Sequence, residues 1–157
     1  MVTEITIATD GSSLGNPGPA GWAWVASDGR SNCAGARHST NNRMELRAVI
    51  EALEAMPERS EIRILSDSEY VVKIFTEWLG AWRAKGMRTG RGKPVENRDL
   101  IERLDALVQS RNVRFEWVRG HAGHPMNEQA DALANDAAQK PKGKLAARRE
   151  GDGDGIG

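Results

Sequence analysis

Cysteine is nearly absent from this chain: Cys33 is the only one in 157 residues. A lone thiol closes no internal disulfide, and a four-cysteine metal site is excluded, which points to a reducing compartment. Neither sign of charge is in excess, because 22 lysines and arginines stand against 22 aspartates and glutamates. Overall charge therefore names no partner, and any electrostatic message lies in where the charges sit. Apolar runs are short, and none approaches the about 20 residues that span a bilayer. The opening MVTEITIATDG has neither the basic start nor the long apolar run of an export signal. The expectation is a cytoplasmic protein with no membrane partner. The length suits one compact domain and leaves little for a second.

What is present is a change of period along the chain. EITIAT (Glu4 to Thr9) alternates and is β-branched, as a strand does. GWAWVAS (Gly21 to Ser27) and a weaker run from Asn32 to Arg37 follow at hairpin distance, so an antiparallel meander is expected. NNRMELRAVIEALEAM then places Leu46, Val49, Ile50, Leu53 and Met56 on one helical face. Further strands are expected at Glu61 to Ser66 and Val113 to Val118, with helices in DSEYVVKIFTEWL, NRDLIERLDALVQ and HPMNEQADALANDAAQ. A meander followed by strand–helix alternation implies one mixed α/β sheet with helices on its faces. The later strands need crossovers and should run parallel to the first. From about Lys140 the sequence KPKGKLAARREGDGDGIG loses all periodicity, so residues 140–157 are expected to form a disordered tail on a domain of residues 1–139.

Four carboxylates do not fit a plain scaffold. Asp10 and Asp67 each close a short apolar strand, in TIATD and IRILSD. On parallel neighbours both would emerge at the carboxyl edge of the sheet, where α/β folds place ligands. Glu45 shares a helical face with Ala48, Val49 and Ala52, while Arg47, Glu51 and Glu54 take the wet side. Asp131, with Ala134 as its i+3 neighbour, flanks the stripe of Ala130, Leu133 and Ala137. Each has a plainer reading alone: a turn former, a dipole-stabilised surface acid, a solvated flank. Together they would repel one another unless cations were bound. All-oxygen ligands suit a hard ion such as Mg²⁺, and the type of site suits phosphoryl transfer.

Four segments carry a resemblance. TDGSSLGNPGPAGW, TNNRMEL, LSDSEYV and WVRGHAGHPMNEQADALA resemble, in order and spacing, the signature segments of type 1 ribonuclease H of the bacterial kind. The similarity runs from about Thr3 to Gln139. It implies a mixed five-stranded sheet of order 3-2-1-4-5 with strands 1 to 3 antiparallel. It implies an endonuclease that cuts the RNA strand of RNA/DNA hybrids by two-metal-ion catalysis, leaving 5′-phosphate and 3′-hydroxyl ends. Asp10, Glu45, Asp67 and Asp131 match its metal-binding carboxylates, with Asp10 best placed to bridge two Mg²⁺ ions, for which Mn²⁺ can substitute. His121 matches its loop histidine, suited by a near-neutral pKa to moving protons.

The hybrid needs its own contacts. WLGAWRAKGMRTGRGKPV holds Arg83, Lys85, Arg88, Arg91 and Lys93 and no acid. Such a patch attracts phosphate backbones through counterion release. Trp78 and Trp82 lie four apart, where they can pack on sugars or bases, or simply belong to the core. The stretch resembles the family's basic protrusion, with Met87 where many relatives carry an aromatic. Telling RNA from DNA requires contact with the 2′-hydroxyl. Asn16, Asn41 and Asn42 are the expected contacts, and Thr40 and Asn97 resemble the family's pocket for a DNA phosphate. The alternative, a non-catalytic hybrid-binding module, would keep the basic stretch and lose carboxylates. Nothing in the helical patterns suggests an oligomer, so a monomer is expected.

Overall fold

The computed structural model describes residues 3–120 and 122–143. Three long strands open the chain: β1 (Ile5–Ser13), β2 (Gly18–Ala26) and β3 (Ser31–Ser39). Helix α1 (Asn41–Glu54) leads to β4 (Glu61–Ser66). A continuous helical run follows as α2 (Glu69–Lys73), a π-helical turn (Ile74–Trp78) and α3 (Leu79–Ala84). Then come α4 (Arg98–Gln109), β5 (Asn112–Trp117) and α5 (Pro125–Gly143). The strands form one sheet of order β3-β2-β1-β4-β5. β1 is antiparallel to β2, and β2 to β3, whereas β4 and β5 run parallel to β1. The expected mixed α/β fold and strand order are those observed.

The two faces of the sheet are unequal. Ile7, Trp22, Trp24, Ile62 and Ile64 face α1 and α4 in the main core, where Leu46, Val49, Ile50, Leu53, Met56, Ile101 and Leu104 are also buried. Ala8, Val25 and Leu65 alternate to the other face and meet Ala130 of α5 in a thinner layer. Thr40 caps α1, its hydroxyl accepting from the Arg43 amide at 3.2 Å. That bond satisfies one of the orphan donors at the helix start. Among the described residues no helix is long and apolar enough to cross a membrane.

Three boundaries differ from the sequence reading. β1 runs on to Ser13, four residues past Thr9, because Ser12 and Ser13 still pair with Gly21 and Ala20. Asp10 therefore lies within a strand and does not end it. The helix expected to stop near Leu79 extends through the π turn to Ala84. The last helix runs to Gly143, four residues beyond the expected limit of the domain, and the rest of the tail lies outside the described residues.

Candidate active site

The parallel ladder between β1 and β4 ends at Thr9 and Ser66, while the antiparallel ladder continues through Asp10 and Ala23. At Asp10, β1 thus keeps one neighbour and loses the other. Strand alternation turns Asp10 to the side of Ala8, towards α5, and Gly11 to the side of Ile7, towards α1. Gly11 is there for room. A Cβ at this position would lie 2.4 Å from the Glu45 amide nitrogen and 2.6 Å from the Met44 carbonyl carbon. Its absence lets the first turn of α1 rest on β1, which brings Glu45 beside Asp10.

Asp67 sits just past the end of β4, between the two serines that start the turn into α2. Ser66 Oγ accepts from the Ser68 amide at 3.0 Å, and Ser68 in turn caps α2 by accepting from Val71. Gly120 presses on Asp67 from the loop after β5, where a Cβ would stand 2.7 Å from Oδ2. One carboxylate oxygen each from Asp10, Glu45 and Asp67 lies within 4.8 Å of the others. Asp10 is 3% exposed and Glu45 is 4% exposed; Asp67 is half-buried. Asp131 approaches Asp10 from α5 and accepts from Asn135 Nδ2 at 3.4 Å.

Electrostatics follow from this crowding. Burial, then the neighbouring Glu45 and Asp67 carboxylates, push the Asp10 pKa up from 3.8 to about 10. Burial and Asp67 likewise hold Glu45 well above its usual range, against the opposing pull of the Gly11 amide and the Asn41 side chain. Glu45 Oε1 is buried with no hydrogen-bond partner among the described residues. A buried carboxyl oxygen without a partner, on a residue clustered with two more carboxyl groups, belongs to a donor set that fits a hard divalent cation.

Comparison with known proteins decides the family. The ribonuclease H family model matches residues 2–139. A ribonuclease H of Escherichia coli O9:H4 (strain HS) is 48% identical over 144 residues, 90% of this chain and 93% of that protein. Ribonuclease HI of Caulobacter vibrioides is 46% identical over 143 residues, 89% and 96% of the two. The chain belongs to the ribonuclease H family. Among solved structures, LC9-RNase H1, a type 1 RNase H with the type 2 active-site motif, superposes with a TM-score of 0.79 at 33% identity, over 89% of this chain and 74% of that one. RNase H1 from the halophilic archaeon Halobacterium salinarum NRC-1 gives 0.66 at 30% identity, over 88% and 99%. Both relatives and fold are those of the type 1 ribonucleases H of the sequence reading.

The remaining candidate residues of this ribonuclease H fall into three groups. Asn16, Thr40, Asn41, Asn42 and Asn97 gather around the start of α1 and α4. Asn16 Oδ1 accepts from the Asn41 amide at 3.0 Å, and Asn42 is exposed. Asn97 is left-handed at φ 60; its Nδ2 donates to Tyr70 Oη at 3.0 Å, and its Oδ1 accepts from Arg43. Arg43 also grips Asp99 with both guanidinium nitrogens, at 2.9 and 3.1 Å. Neither Gly11 nor Arg43 was singled out from sequence, although the glycine directly follows Asp10.

The basic stretch is less uniform than its sequence. Trp78 and Trp82 are half-buried against the main core, their rings tilted by 38° at 5.7 Å. Part of each is committed to packing, so the apolar reading of the pair holds for much of their surface. Arg83 reaches across to Asp105 on α4, and the pairing lowers the Asp105 pKa. The stretch has no acid in sequence, but α4 supplies one in space. Arg83 is thus an anchor of the arm. Lys85, Arg88, Arg91 and Lys93 remain exposed, with Arg88 Nη1 donating to the Gly92 carbonyl at 2.9 Å. Met87 is 8% exposed and belongs to the core. His121 lies outside the described residues.

The raised carboxylate pKa values set a pH dependence. A carboxyl whose pKa is higher folded than unfolded favours the native state fully below the unfolded value and loses that contribution as pH rises towards the folded one. For Asp10 the window opens near 3.8 and extends to about 10. Metal-free protein should therefore melt at progressively lower temperature from pH 5 to pH 9, and Mg²⁺ should restore the loss. Calorimetric melts in EDTA and in Mg²⁺ at pH 5, 7 and 9 check this. Parallel curves with and without the ion would remove the carboxylate cluster as the cause.

Proposed function

We propose that this protein is a Mg²⁺-dependent endoribonuclease that hydrolyses the RNA strand of RNA/DNA hybrids and leaves 5′-phosphate and 3′-hydroxyl ends. The convergence of Asp10, Glu45 and Asp67 at the place where the two ladders of β1 part carries this reading. Asp10, Glu45, Asp67 and Asp131 would hold the ions, with Mn²⁺ able to replace Mg²⁺. Held there, two such ions would supply a water of lowered pKa and stabilisation of the leaving 3′ oxygen. The chain's own part is to keep four acids together, exclude water behind Asp10 and Glu45, and set the hybrid in line. His121 is assigned to proton movement during product departure. The membership of the ribonuclease H family, with a relative 48% identical, supports this reading.

Substrate recognition divides by strand. Asn16, Asn41 and Asn42 would meet the 2′-hydroxyls of the RNA. Thr40 and Asn97 would take a phosphate of the DNA, since the Thr40 hydroxyl still has its own hydrogen to donate. Lys85 and Arg88, with the outer faces of Trp78 and Trp82, would lie along the DNA backbone. Replacing Lys85 and Arg88 together by alanine should reduce the slope of log affinity against log salt by about 2, one per lost phosphate contact. Arg83→Ala should instead cost about 0.5–1 kcal/mol of stability, because its pairing with Asp105 is partly exposed. An unchanged salt slope in the double variant would detach the arm from phosphate. We also assign a monomeric state and a cytoplasmic location.

The deciding experiment uses one end-labelled RNA strand, presented alone, in an RNA duplex and in an RNA/DNA hybrid, with Mg²⁺ or EDTA. Cleavage of the hybrid alone, and only with Mg²⁺, is expected. Tight binding without cleavage would replace the reading by that of a binding module.

A further inference from the structure

Asp67 is the least buried of the three clustered carboxylates. It stands beyond the last parallel pair, Ser66 with Trp117, and is half-buried. Two bonds tie its turn to the end of β5. The Val118 amide donates to the Ser66 carbonyl at 2.9 Å. Next to it, Trp117 Nε1 donates to the carbonyl of Asp67 itself at 3.2 Å. With Gly120 close against the Asp67 carboxylate, the end of β5 and its following loop enclose that residue from one side.

Trp117 is otherwise hard to explain. Among the described residues it is the one large apolar side chain left exposed, at 43%. Strand alternation puts it on the face of Val113 and Phe115, yet it lies past the Phe75–Phe115 stack that closes that face. An aromatic ring so exposed contributes little by burial. Its indole N–H, in contrast, reaches the backbone carbonyl of Asp67 itself.

We propose that Trp117 is a positioning residue for Asp67: its indole N–H holds the Asp67 backbone so that the carboxylate meets Asp10 and Glu45 at a divalent cation. This deepens the reading of the site given above and rests on it. Trp117 touches neither ion nor phosphate in this role. Its effect is to lower the cost of ordering the third carboxylate, so it should appear in cation affinity and not in hybrid affinity.

The test compares Trp117→Phe, which keeps a ring and loses the donor, with Trp117→His, which keeps a ring donor. MgCl₂ is titrated into metal-free protein and followed by amide NMR shifts. Mg²⁺ dependence of cleavage, and KM for the hybrid at saturating Mg²⁺, are measured in parallel. Trp117→Phe should weaken Mg²⁺ binding about 10-fold and raise the Mg²⁺ midpoint of cleavage equally, with hybrid KM unchanged. Trp117→His should recover part of the loss. Unchanged Mg²⁺ binding in Trp117→Phe overturns the proposal, as does a raised hybrid KM with unchanged Mg²⁺ binding, which would make Trp117 a substrate contact. Mg²⁺ binding by the wild type without any cleavage would sink the nuclease reading while leaving the positioning role measurable.

Discussion

Asp10→Asn should lower hybrid cleavage by about three orders of magnitude or more and, in the same molecule, raise the melting temperature of the metal-free protein. The two effects share one cause. Asn has the size of Asp, so packing around β1 is kept, but it has no charge for a cation to meet. Asp10 is 3% exposed and faces Glu45, Asp67 and Asp131, all acids. At pH 8 the metal-free fold must either carry that charge or hold a proton against a solution that has few, and both options cost stability. An amide carries neither cost. A gain of about 1–2 kcal/mol corresponds to roughly 3–8 °C in a chain of this size. The gain should shrink at pH 5, where Asp10 is protonated already. Wild-type rates in the variant would take Asp10 out of the mechanism. A variant that melts lower at pH 8 in EDTA would mean that burial of this carboxylate is not a source of strain.

Gly11→Ala is the second large effect, and it acts without touching any charge. The added Cβ meets the Glu45 amide nitrogen at 2.4 Å, the Met44 carbonyl carbon at 2.6 Å and Met44 Cβ at 2.8 Å. Two of these are backbone atoms of a helix, so no rotamer change relieves the contact. Helix α1 must move off β1, and its buried face of Leu46, Val49, Ile50 and Leu53 moves with it. Overpacking of this kind costs about 1–3 kcal/mol and occasionally more. Glu45 would also retreat from Asp10, and misplacement by about 1 Å can cost 10²-fold in rate. Urea denaturation and kcat together read both losses. Gly80→Ala is the control: nothing lies within 4 Å of its Cβ, and in α3 alanine should add about 0.5–1 kcal/mol. If Gly11→Ala behaved like Gly80→Ala, α1 would not be seated on β1 as described.

Much of this was readable in the chain because it is local. Leu46, Val49, Ile50, Leu53 and Met56 sit at helical spacing, and all five are buried. Asp10 and Asp67 were legible as a pair because each follows an apolar strand, and parallel strands bring like ends together. The errors lie where partners are remote. TDGSS has nothing in composition to extend β1, yet Gly21 and Ala20 pair with it from across a hairpin. The π turn from Ile74 to Trp78 contains neither glycine nor proline, so no punctuation announced it. The stretch around Arg83 shows no acid in sequence because Asp105, its partner, stands 22 residues away on another helix. The bond from Trp117 to Asp67 crosses 50 residues and ends on a backbone atom, which side-chain identity cannot advertise.

The placement of α5 has a consequence for how such a chain is made. Asp10 comes from the first strand, and Asp131 from the last helix, which also covers the thin apolar layer of Ala8, Val25 and Leu65. A ribosome delivers these pieces in order. Until α5 has emerged, one side of the growing sheet is bare and the fourth carboxylate does not yet exist. On the site proposed above, the set of four carboxylates is complete only once that helix has been made.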